Sequence, residues 1–270
     1  MIFNKDAGMI ARLRYYLSSI PTILGQIRNW YVCFGLLLTK RPVIIRLKNG
    51  CQFKVRNVMD VWIIKETCLD RDYESHAIPI QEGWIVIDIG AGLGDFAVSV
   101  AYEHPGCHVY AYEPFPESFR LLEENIILNG TRNVTPFPVA VGATSEPMTL
   151  FTIGTAVQHS TTSASRHVHS ITVKGLSLDD VLETNAIPVC DFLKMDCEGG
   201  EFDILFSASE ATLRKIRHIC LEYHDGVTKF SHADLVDYLQ KRGFHVRTAP
   251  NPVHNHLGFL YAFRPSGDGL

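Results

Sequence analysis

Apolar and polar residues follow two different periods along this chain. Up to residue 41, apolar residues recur every three or four positions, which predicts amphipathic helices that Pro21 divides into two. From Trp84 onward, short apolar runs typical of strands alternate with amphipathic segments typical of helices. Such alternation indicates a parallel sheet with helices on both faces. We therefore expect an α/β fold of the Rossmann-like kind.

The alternating part of the chain contains seven predicted strands and five predicted helices. The strands are Ile85–Ile89, Val109–Tyr112, Val134–Val141, Phe192–Met195, Ile216–Glu222, Phe244–Thr248 and Gly258–Phe263. The helices are Phe96–Glu103, Pro116–Asn129, Leu178–Glu183, Glu201–Ala208 and His232–Arg242. Residues 145–177 depart from this rhythm, because a polar Ser/Thr-rich segment separates two further strands, Met148–Ile153 and Ser170–Val173. We expect this insertion to form a lid over a ligand site or a solvated loop.

The chain before residue 80 has a character of its own. Residues 42–55 alternate in polarity around Asn49-Gly50, which predicts a β-hairpin, and residues 59–70 have helical spacing. We predict three parts: an N-terminal arm, hairpin and helix over 1–80, a cofactor-binding domain over 81–264 with 145–177 inserted, and a tail over 265–270.

Charge is distributed unevenly along the 270 residues. The net charge is −4, which argues against nucleic acid as a partner, yet residues 1–48 hold eight Lys or Arg against the single acid Asp6. This basic, apolar arm either packs as a helical cap or makes peripheral contact with an anionic membrane through residues 1–41. Its longest apolar run, Trp30–Leu38, is too short for a membrane span of roughly 20 residues.

Cysteine usage and the N-terminus bear on the compartment. The seven cysteines are scattered without a C-x-x-C pair, which indicates reduced thiols rather than a zinc or redox site. The N-terminus lacks a basic stub followed by an unbroken apolar stretch, so we expect no secretory signal and a cytoplasmic protein.

A glycine-rich loop follows the first predicted strand and opens a helix at Phe96. Its residues Gly90-Ala91-Gly92-Leu93-Gly94-Asp95 let the backbone turn sharply and approach a ligand closely. A dinucleotide fingerprint needs a small residue where Asp95 stands, because a carboxylate there would repel a pyrophosphate. Asp88 and Asp95 instead suit the positive charges of S-adenosylmethionine (SAM). The loop therefore predicts a SAM site.

The ends of the next two strands extend this cofactor site. Glu113 lies 19 residues after Gly94, where its carboxylate can accept hydrogen bonds from both ribose hydroxyls, and Pro114 then turns the chain. Val141, at the end of the third strand, is expected to meet the adenine.

A second acidic group follows the fourth strand. Lys194, Asp196 and Glu198 alternate, so an extended strand would direct them to one face, and His224 ends the neighbouring strand. We nominate Asp196 as the carboxylate that activates the acceptor, with Glu198 and His224 as alternative bases. A divalent metal bound by this group is possible on chemical grounds but not favoured, because the spacing matches no dedicated metal loop.

Several segments together resemble the FkbM family of SAM-dependent methyltransferases. The matching segments are VIDIGAGLGDFAVSVA, YEPFPESFRLLEENIILNG, VAVGA, LSLDDVL, DFLKMDCEGGEFDIL and ICLEYHD, in this order over about residues 84–225. The resemblance implies a class I methyltransferase fold, a mostly parallel seven-stranded sheet, and O-methylation of a sugar, a glycolipid or polysaccharide unit, or another small natural product. It also implies S-adenosylhomocysteine as the product.

Two other functions remain open from the sequence. An NAD(P)-dependent oxidoreductase could use a similar fold, although Asp95 and the lack of a Tyr-x-x-x-Lys pair argue against it. A non-catalytic, membrane-docked binding module could use the basic N-terminal arm.

Overall fold

The computed structural model describes residues 17–39, 41–75, 77–153, 159–160, 168–251, 254 and 256–264. Helix α1 covers residues 17–26 and continues through Pro21, so the prediction that Pro21 separates two helices is wrong. The separation lies at Ile27, which is 1% exposed and pairs with Leu47 of the following hairpin. The helix ends where the chain turns to the hairpin for its hydrogen bonds, since the Arg28 amide donates to the Arg46 carbonyl at 2.7 Å, and the proline is accommodated within the helix. A 3₁₀ turn, Trp30–Val32, then leads into α2, Cys33–Thr39.

The hairpin and helix predicted before residue 80 are both present. Strands β1 (Val43–Arg46) and β2 (Gln52–Val55) pair antiparallel. Helix α3 (Val58–Ile64) begins at the Asn57 cap and continues as a π-helical segment, Lys65–Asp70. A single turn, α4 (Asp72–Ser75), follows. Segments of π-helix occur frequently at functional sites.

Seven strands form the central sheet, as predicted. In chain order they are β3 (Ile85–Ile89), β4 (His108–Tyr112), β5 (Val134–Phe137), β11 (Cys190–Met195), β12 (Ile216–His224), β13 (His245–Pro250) and β14 (Leu257–Phe263). Their spatial order is β13-β14-β12-β11-β3-β4-β5. The strands from β12 to β5 are parallel, and β14 is antiparallel to both of its neighbours. The sheet is thus mostly parallel.

Helices cover both faces of this sheet. They are α5 (Asp95–Glu103), α6 (Pro116–Asn129), α7 (Leu178–Thr184), α8 (Glu201–Ser207), α9 (Glu210–Arg214) and α10 (His232–Gln240). Consecutive residues of a strand point to opposite faces, so Phe192 belongs to the apolar cluster under α5 and α6, and Leu193 to the cluster under α7–α10. Of the helices described, none is long and apolar enough to cross a bilayer.

The prediction of one strand over Val134–Val141 is wrong. Strand β5 ends at Phe137, and after Pro138 a separate strand, β6 (Ala140–Gly142), pairs with β10 (Gly175–Ser177). Pro138 cannot donate a backbone hydrogen bond to a sheet, so it favours the change of partner.

The inserted segment forms a small sheet of its own. Strands β7 (Met148–Ile153) and β9 (Val168–Val173) pair antiparallel, and β8 (His159–Ser160) adds to β7. The polar residues 154–158 and 161–167 lie outside the described residues, and so does the predicted tail 265–270. A role of this insertion as a lid stays a prediction.

The hairpin packs onto the central domain through α6. Asn125 is fully buried, its Oδ1 accepts the Lys54 amide at 2.7 Å, and its Nδ2 donates to the Leu93 carbonyl at 2.9 Å. Hairpin and sheet share one apolar cluster that includes Phe53 and Val98. The domain boundary at residue 80 stays a prediction, but no break in packing marks it among the described residues.

Replacing Asn125 by Ala is expected to lower the free energy of unfolding by roughly 2–6 kcal/mol, since the Lys54 amide and the Leu93 carbonyl each lose a partner worth about 1–3 kcal/mol. Urea unfolding would measure the change. Arg120→Ala, at an exposed position of the same helix, is the control and should change stability little. A loss below about 0.5 kcal/mol for Asn125→Ala would contradict the anchoring role.

Candidate active site

The strand order reverses between β3 and β11, which are neighbours at the centre of the sheet. From β3 the chain proceeds to β4 on one side, and from β11 it proceeds to β12 on the other. Ligands in open α/β sheets bind beyond the carboxyl ends of the strands at such a reversal. A cavity of about 1110 Å³ lies at this place, between the loops that follow β3, β4 and β11. Its volume lies slightly above the range of about 300–1,000 Å³ that is usual for a ligand pocket.

The glycine loop brings its backbone against the loop after β11. Gly90 has φ +76°, and a Cβ there would overlap the carbonyl oxygen of Asp196. Gly94 has φ +87°, and a Cβ there would come within 2.5 Å of Leu122 on α6. Larger residues at these two positions would push the loop away from the cavity.

The Glu113 carboxylate braces the opposite side of the same loop. Its Oε2 accepts the Gly92 amide at 2.8 Å and its Oε1 accepts the Phe115 amide at 2.8 Å. Burial raises the pKa of Glu113 to about 7, although these two amides oppose the rise. The side chain lines the cavity with acceptor capacity left over, since each carboxylate oxygen can accept more than one hydrogen bond.

An internal ion pair supports the floor between the two strands. Lys194 Nζ lies 2.9 Å from Asp88 Oδ1 and donates to the Gly90 carbonyl at 2.8 Å, and both side chains are almost completely buried. Burial by itself lowers the pKa of Lys194, but the carboxylates of Asp88, Asp196 and Asp95 outweigh it and raise that pKa. The pKa of Asp88 is raised by burial, with Lys194 opposing the rise. Lys194 thus holds the glycine loop while keeping its charge.

Carboxylates dominate the part of the wall around Asp196. Tyr73 donates its hydroxyl to Asp196 Oδ2 at 3.0 Å. Burial and the charge of Asp196 raise the pKa of Glu198 to about 7 and the pKa of Glu222 well above its usual value. Burial also raises the pKa of Asp95 to about 6. A positively charged ligand would relieve the repulsion among these groups.

Hydrogen bonds to a buried carboxylate stabilise the loop after β11. Glu201 is fully buried, and its two oxygens accept the amides of Cys197 at 2.7 Å and Gly199 at 3.0 Å. His224 lies beside it, with Nδ1 3.4 Å from Glu201 Oε1 and Nε2 3.5 Å from Glu198 Oε2. Burial alone lowers the pKa of His224, but Glu201, Asp196 and Glu222 outweigh it and raise the pKa to about 10. His224 therefore holds a proton at neutral pH.

Three of these side chains are close enough to raise the question of a metal. One ligand atom from each of Asp196, Glu201 and His224 lies within 4.8 Å of the others. Both oxygens of Glu201 also accept backbone hydrogen bonds, so this group supports the loop after β11.

The structure brings most of the predicted site residues to one cavity. Eight of them line the wall: Gly90, Gly92, Asp95, Glu113, Pro114, Val141, Asp196 and Glu198. The other five are buried and absent from the described wall: Asp88, Ala91, Gly94, Phe96 and His224. The expected alternation of Lys194, Asp196 and Glu198 stops at Met195, where β11 ends, and Glu198 adopts a left-handed conformation with φ +51°. Glu198 nevertheless faces the cavity.

The segment before the first central strand forms a whole side of the cavity, and the sequence did not predict this contribution. The π-helical segment and α4 supply Glu66, Asp70, Asp72 and Tyr73 to the wall. Burial and the charges of Glu66 and Asp70 raise the pKa of Asp72 to about 7. The run Asp70-Arg-Asp72-Tyr73 was a visible acidic group, but nothing in its spacing indicated that it would meet residues beyond 190.

The chain is similar to known methyltransferases. The family model described as the methyltransferase FkbM domain matches residues 88–246. The 31-O-demethyl-FK506 methyltransferase FkbM of Streptomyces tacrolimicus is 26% identical over 239 residues, covering 77% of this chain and 91% of that protein. The hexuronic acid methyltransferase AglP of Haloferax volcanii is 23% identical over 206 residues, covering 76% of this chain and 83% of that protein.

A crystal structure supports the fold at the level of architecture. The methyltransferase FkbM from Methylobacillus flagellatus superimposes with a TM-score of 0.52 at 15% sequence identity. The superposition covers 70% of this chain and 46% of that one. At this identity the match bears on the fold alone.

Proposed function

The chain belongs to the FkbM-domain family of methyltransferases, and on that premise we propose that it transfers a methyl group from SAM to a hydroxyl of a sugar, a glycolipid or polysaccharide unit, or another small natural product. One observation carries the proposal. A single cavity joins the glycine loop and Glu113 to the carboxylates around Asp196.

The chemistry of the wall fits SAM. Glu113 has acceptor capacity for the ribose hydroxyls, and the apolar side chains of Val141 and Phe115 suit an adenine. The negative charge of Asp95 suits the positive charges of the ligand. When bound, SAM supplies an activated methyl group on a sulfonium. Asp95 and the neighbouring carboxylates would repel the diphosphate of a dinucleotide, which favours SAM over NAD(P).

Asp196 is our proposed base for the acceptor hydroxyl. It lines the cavity at the carboxyl end of β11, next to the glycine loop, and the Tyr73 hydroxyl fixes one of its oxygens. A positioned base contributes about 10²–10⁴-fold to a proton transfer. Glu198 is the alternative, because its pKa of about 7 is matched to neutral pH. His224 is a poorer choice, since it is already protonated and does not line the described wall.

The names of the relatives guide the choice of acceptor. The Streptomyces protein is named for an O-demethyl substrate and the Haloferax protein for a hexuronic acid. Both names denote oxygen-rich small molecules, so we propose an acceptor of the same chemical class for this chain.

Two measurements test the proposal in sequence. Calorimetric titration with SAM, S-adenosylhomocysteine and NAD⁺ should show saturable binding of the first two only. The enzyme is then incubated with methyl-labelled SAM and arrays of saccharides, glycolipids and polyketides, and products are read by mass spectrometry. We expect a gain of one labelled methyl on oxygen. Absence of SAM binding, or a label found only on nitrogen or carbon, would reject O-methylation from SAM.

The pH profile distinguishes the two candidate bases. Glu198 is protonated below its raised pKa of about 7 and cannot then accept a proton. If Glu198 is the base, kcat/KM rises through about pH 7 in the parent, and Glu198→Gln abolishes both the activity and the rise. If Asp196 is the base, Glu198→Gln stays active and the rise attributable to Glu198 is lost. Steady-state rates across this range decide between them.

A further inference from the structure

The described start of the chain exposes an unusual number of large apolar side chains. On α1, Leu17, Ile20 and Leu24 follow helical spacing and are 54%, 46% and 46% exposed. The other side of this helix packs inward through Ile23, which is partly buried against the main core, and Ile27, directly after the helix, is fully buried in that core. The exposed stripe therefore belongs to a firmly attached helix.

A second apolar group follows directly on the 3₁₀ turn and α2. Trp30 contacts the rings of Tyr31 and Phe34, with centroid distances of 6.5 and 6.0 Å. Leu37 and Leu38 extend this group along α2, at 64% and 84% exposure. Leu36 is buried and anchors the helix from beneath. We call these exposed residues of α1, the turn and α2 the apolar surface. Exposed clusters of apolar side chains, such as Trp30 with Tyr31 and Phe34, mark sites of interaction.

The same part of the chain carries exposed basic residues. Arg28, Arg41, Arg46 and Lys48 are all exposed, and the sequence contains no Asp or Glu between Ala7 and Met59. The Arg28 side chain donates to the Lys48 carbonyl at 2.7 Å, and its amide donates to the Arg46 carbonyl at 2.7 Å, so three of these residues are close together. The rest of the protein is acidic, since the whole chain has a net charge of −4.

We infer that the apolar surface docks on an anionic lipid membrane. Aromatic and aliphatic side chains enter the boundary between headgroups and acyl chains, and flanking Lys and Arg bind anionic headgroups. A second copy of this chain fits less well. In a two-fold dimer the same surface meets itself, which would oppose basic residues to basic residues.

The apolar surface lies near the cavity, which links the docking to the proposed reaction. Helix α2 contacts α3, on which Met59 is 56% exposed and lines the cavity together with Ile63. Docking would bring the cavity close to the headgroups. The acceptor would then be a hydroxyl carried on a lipid, a consequence that rests on the proposed function.

Co-sedimentation of the full chain with vesicles tests the docking. Vesicles of phosphatidylcholine mixed with phosphatidylglycerol should pellet the protein about tenfold more strongly than phosphatidylcholine alone, and high salt should weaken the effect. The variant Leu37→Gln/Leu38→Gln should weaken pelleting about tenfold or more, because it removes two inserted aliphatic groups. Ile127→Gln, at a 78% exposed site on α6, is the matched control and should pellet like the parent.

Thermal unfolding and the Kd for SAM should be unchanged in the Leu37/Leu38 variant, which separates docking from folding and from the proposed function. Loss of SAM binding in the parent would reject the proposed function and leave the docking result standing. Docking itself is overturned if the variant pellets like the parent, or if both vesicle types pellet the protein equally. It is also overturned if neither vesicle binds while light scattering detects a dimer that the variant dissociates.

Discussion

Replacing Asp196 by Asn is expected to lower kcat by about 10²–10⁴-fold, the range a positioned general base contributes. The Kd for SAM should stay within a few-fold of the parent value. Asn keeps the size of the side chain and can still accept the Tyr73 hydrogen bond, but it cannot take a proton from the acceptor. Single-turnover rates with labelled SAM would measure the chemical step, and calorimetry would measure the Kd.

A matched control isolates the effect of position. Asp237→Asn removes the same charge from an exposed site on α10, where the side chain is 64% exposed, so both kcat and Kd should be unchanged. A large loss of SAM affinity in Asp196→Asn would move Asp196 to the cofactor side of the cavity. Full activity in this variant would leave Glu198 as the base.

The pattern of apolar and turn-forming residues predicted the bounds of an element well where local signals mark its ends. The bounds of α6, Pro116–Asn129, and of β3, Ile85–Ile89, match the expectation. In α6, proline at the first turn and Gly130 with φ +63° at the end are local signals that need no knowledge of the fold. In β3 the continuous apolar run reflects burial on both faces.

The errors arose where tertiary packing outweighed a local rule. Pro21 lacks an amide hydrogen and was expected to end the helix. The helix instead continues to residue 26 and ends next to Ile27, which is buried against the hairpin. The apolar run Val134–Val141 looked continuous. Its second half nevertheless leaves the central sheet and pairs with β10, which lies about 35 residues later in the chain. A pattern over ten residues contains no information on either partner.

The candidate site likewise contains features that the sequence predicts and features that depend on tertiary packing. That Asp196 and Glu113 would line one cavity could be predicted, because the carboxyl ends of parallel strands meet at one edge. The contact of Tyr73 with Asp196 joins residues 123 positions apart and depends on how α4 packs over the sheet. Likewise, Asp88 was expected to face a cation of the cofactor, and the structure pairs it with Lys194 beneath the loop. Its effect on a bound ligand would act through the Gly90 backbone.

Glu113 is expected to determine affinity for SAM, and Glu113→Ala should raise the Kd by about 10²-fold or more. Each charged hydrogen bond contributes about 1.5–3 kcal/mol, and the carboxylate is proposed to accept two from the ribose. The substitution also releases the amides of Gly92 and Phe115, so the loop loses its support as well. Glu113→Gln retains one acceptor oxygen and should have a smaller effect.

The experiment must separate lost ribose contacts from a disturbed loop. Adenosine contains the ribose but neither the sulfonium nor the amino acid group. If the ribose contacts dominate, Glu113→Ala should therefore raise the Kd for adenosine and the Kd for SAM by the same factor. If the loop dominates, Glu113→Gln should weaken binding as much as Glu113→Ala, since the geometry of both amides is disturbed. Glu123→Ala, at an exposed position of α6, is the control and should leave both Kd values unchanged. A Kd for SAM within about threefold of the parent in Glu113→Ala would place the ribose elsewhere, because the lost interactions would then be worth less than about 1 kcal/mol.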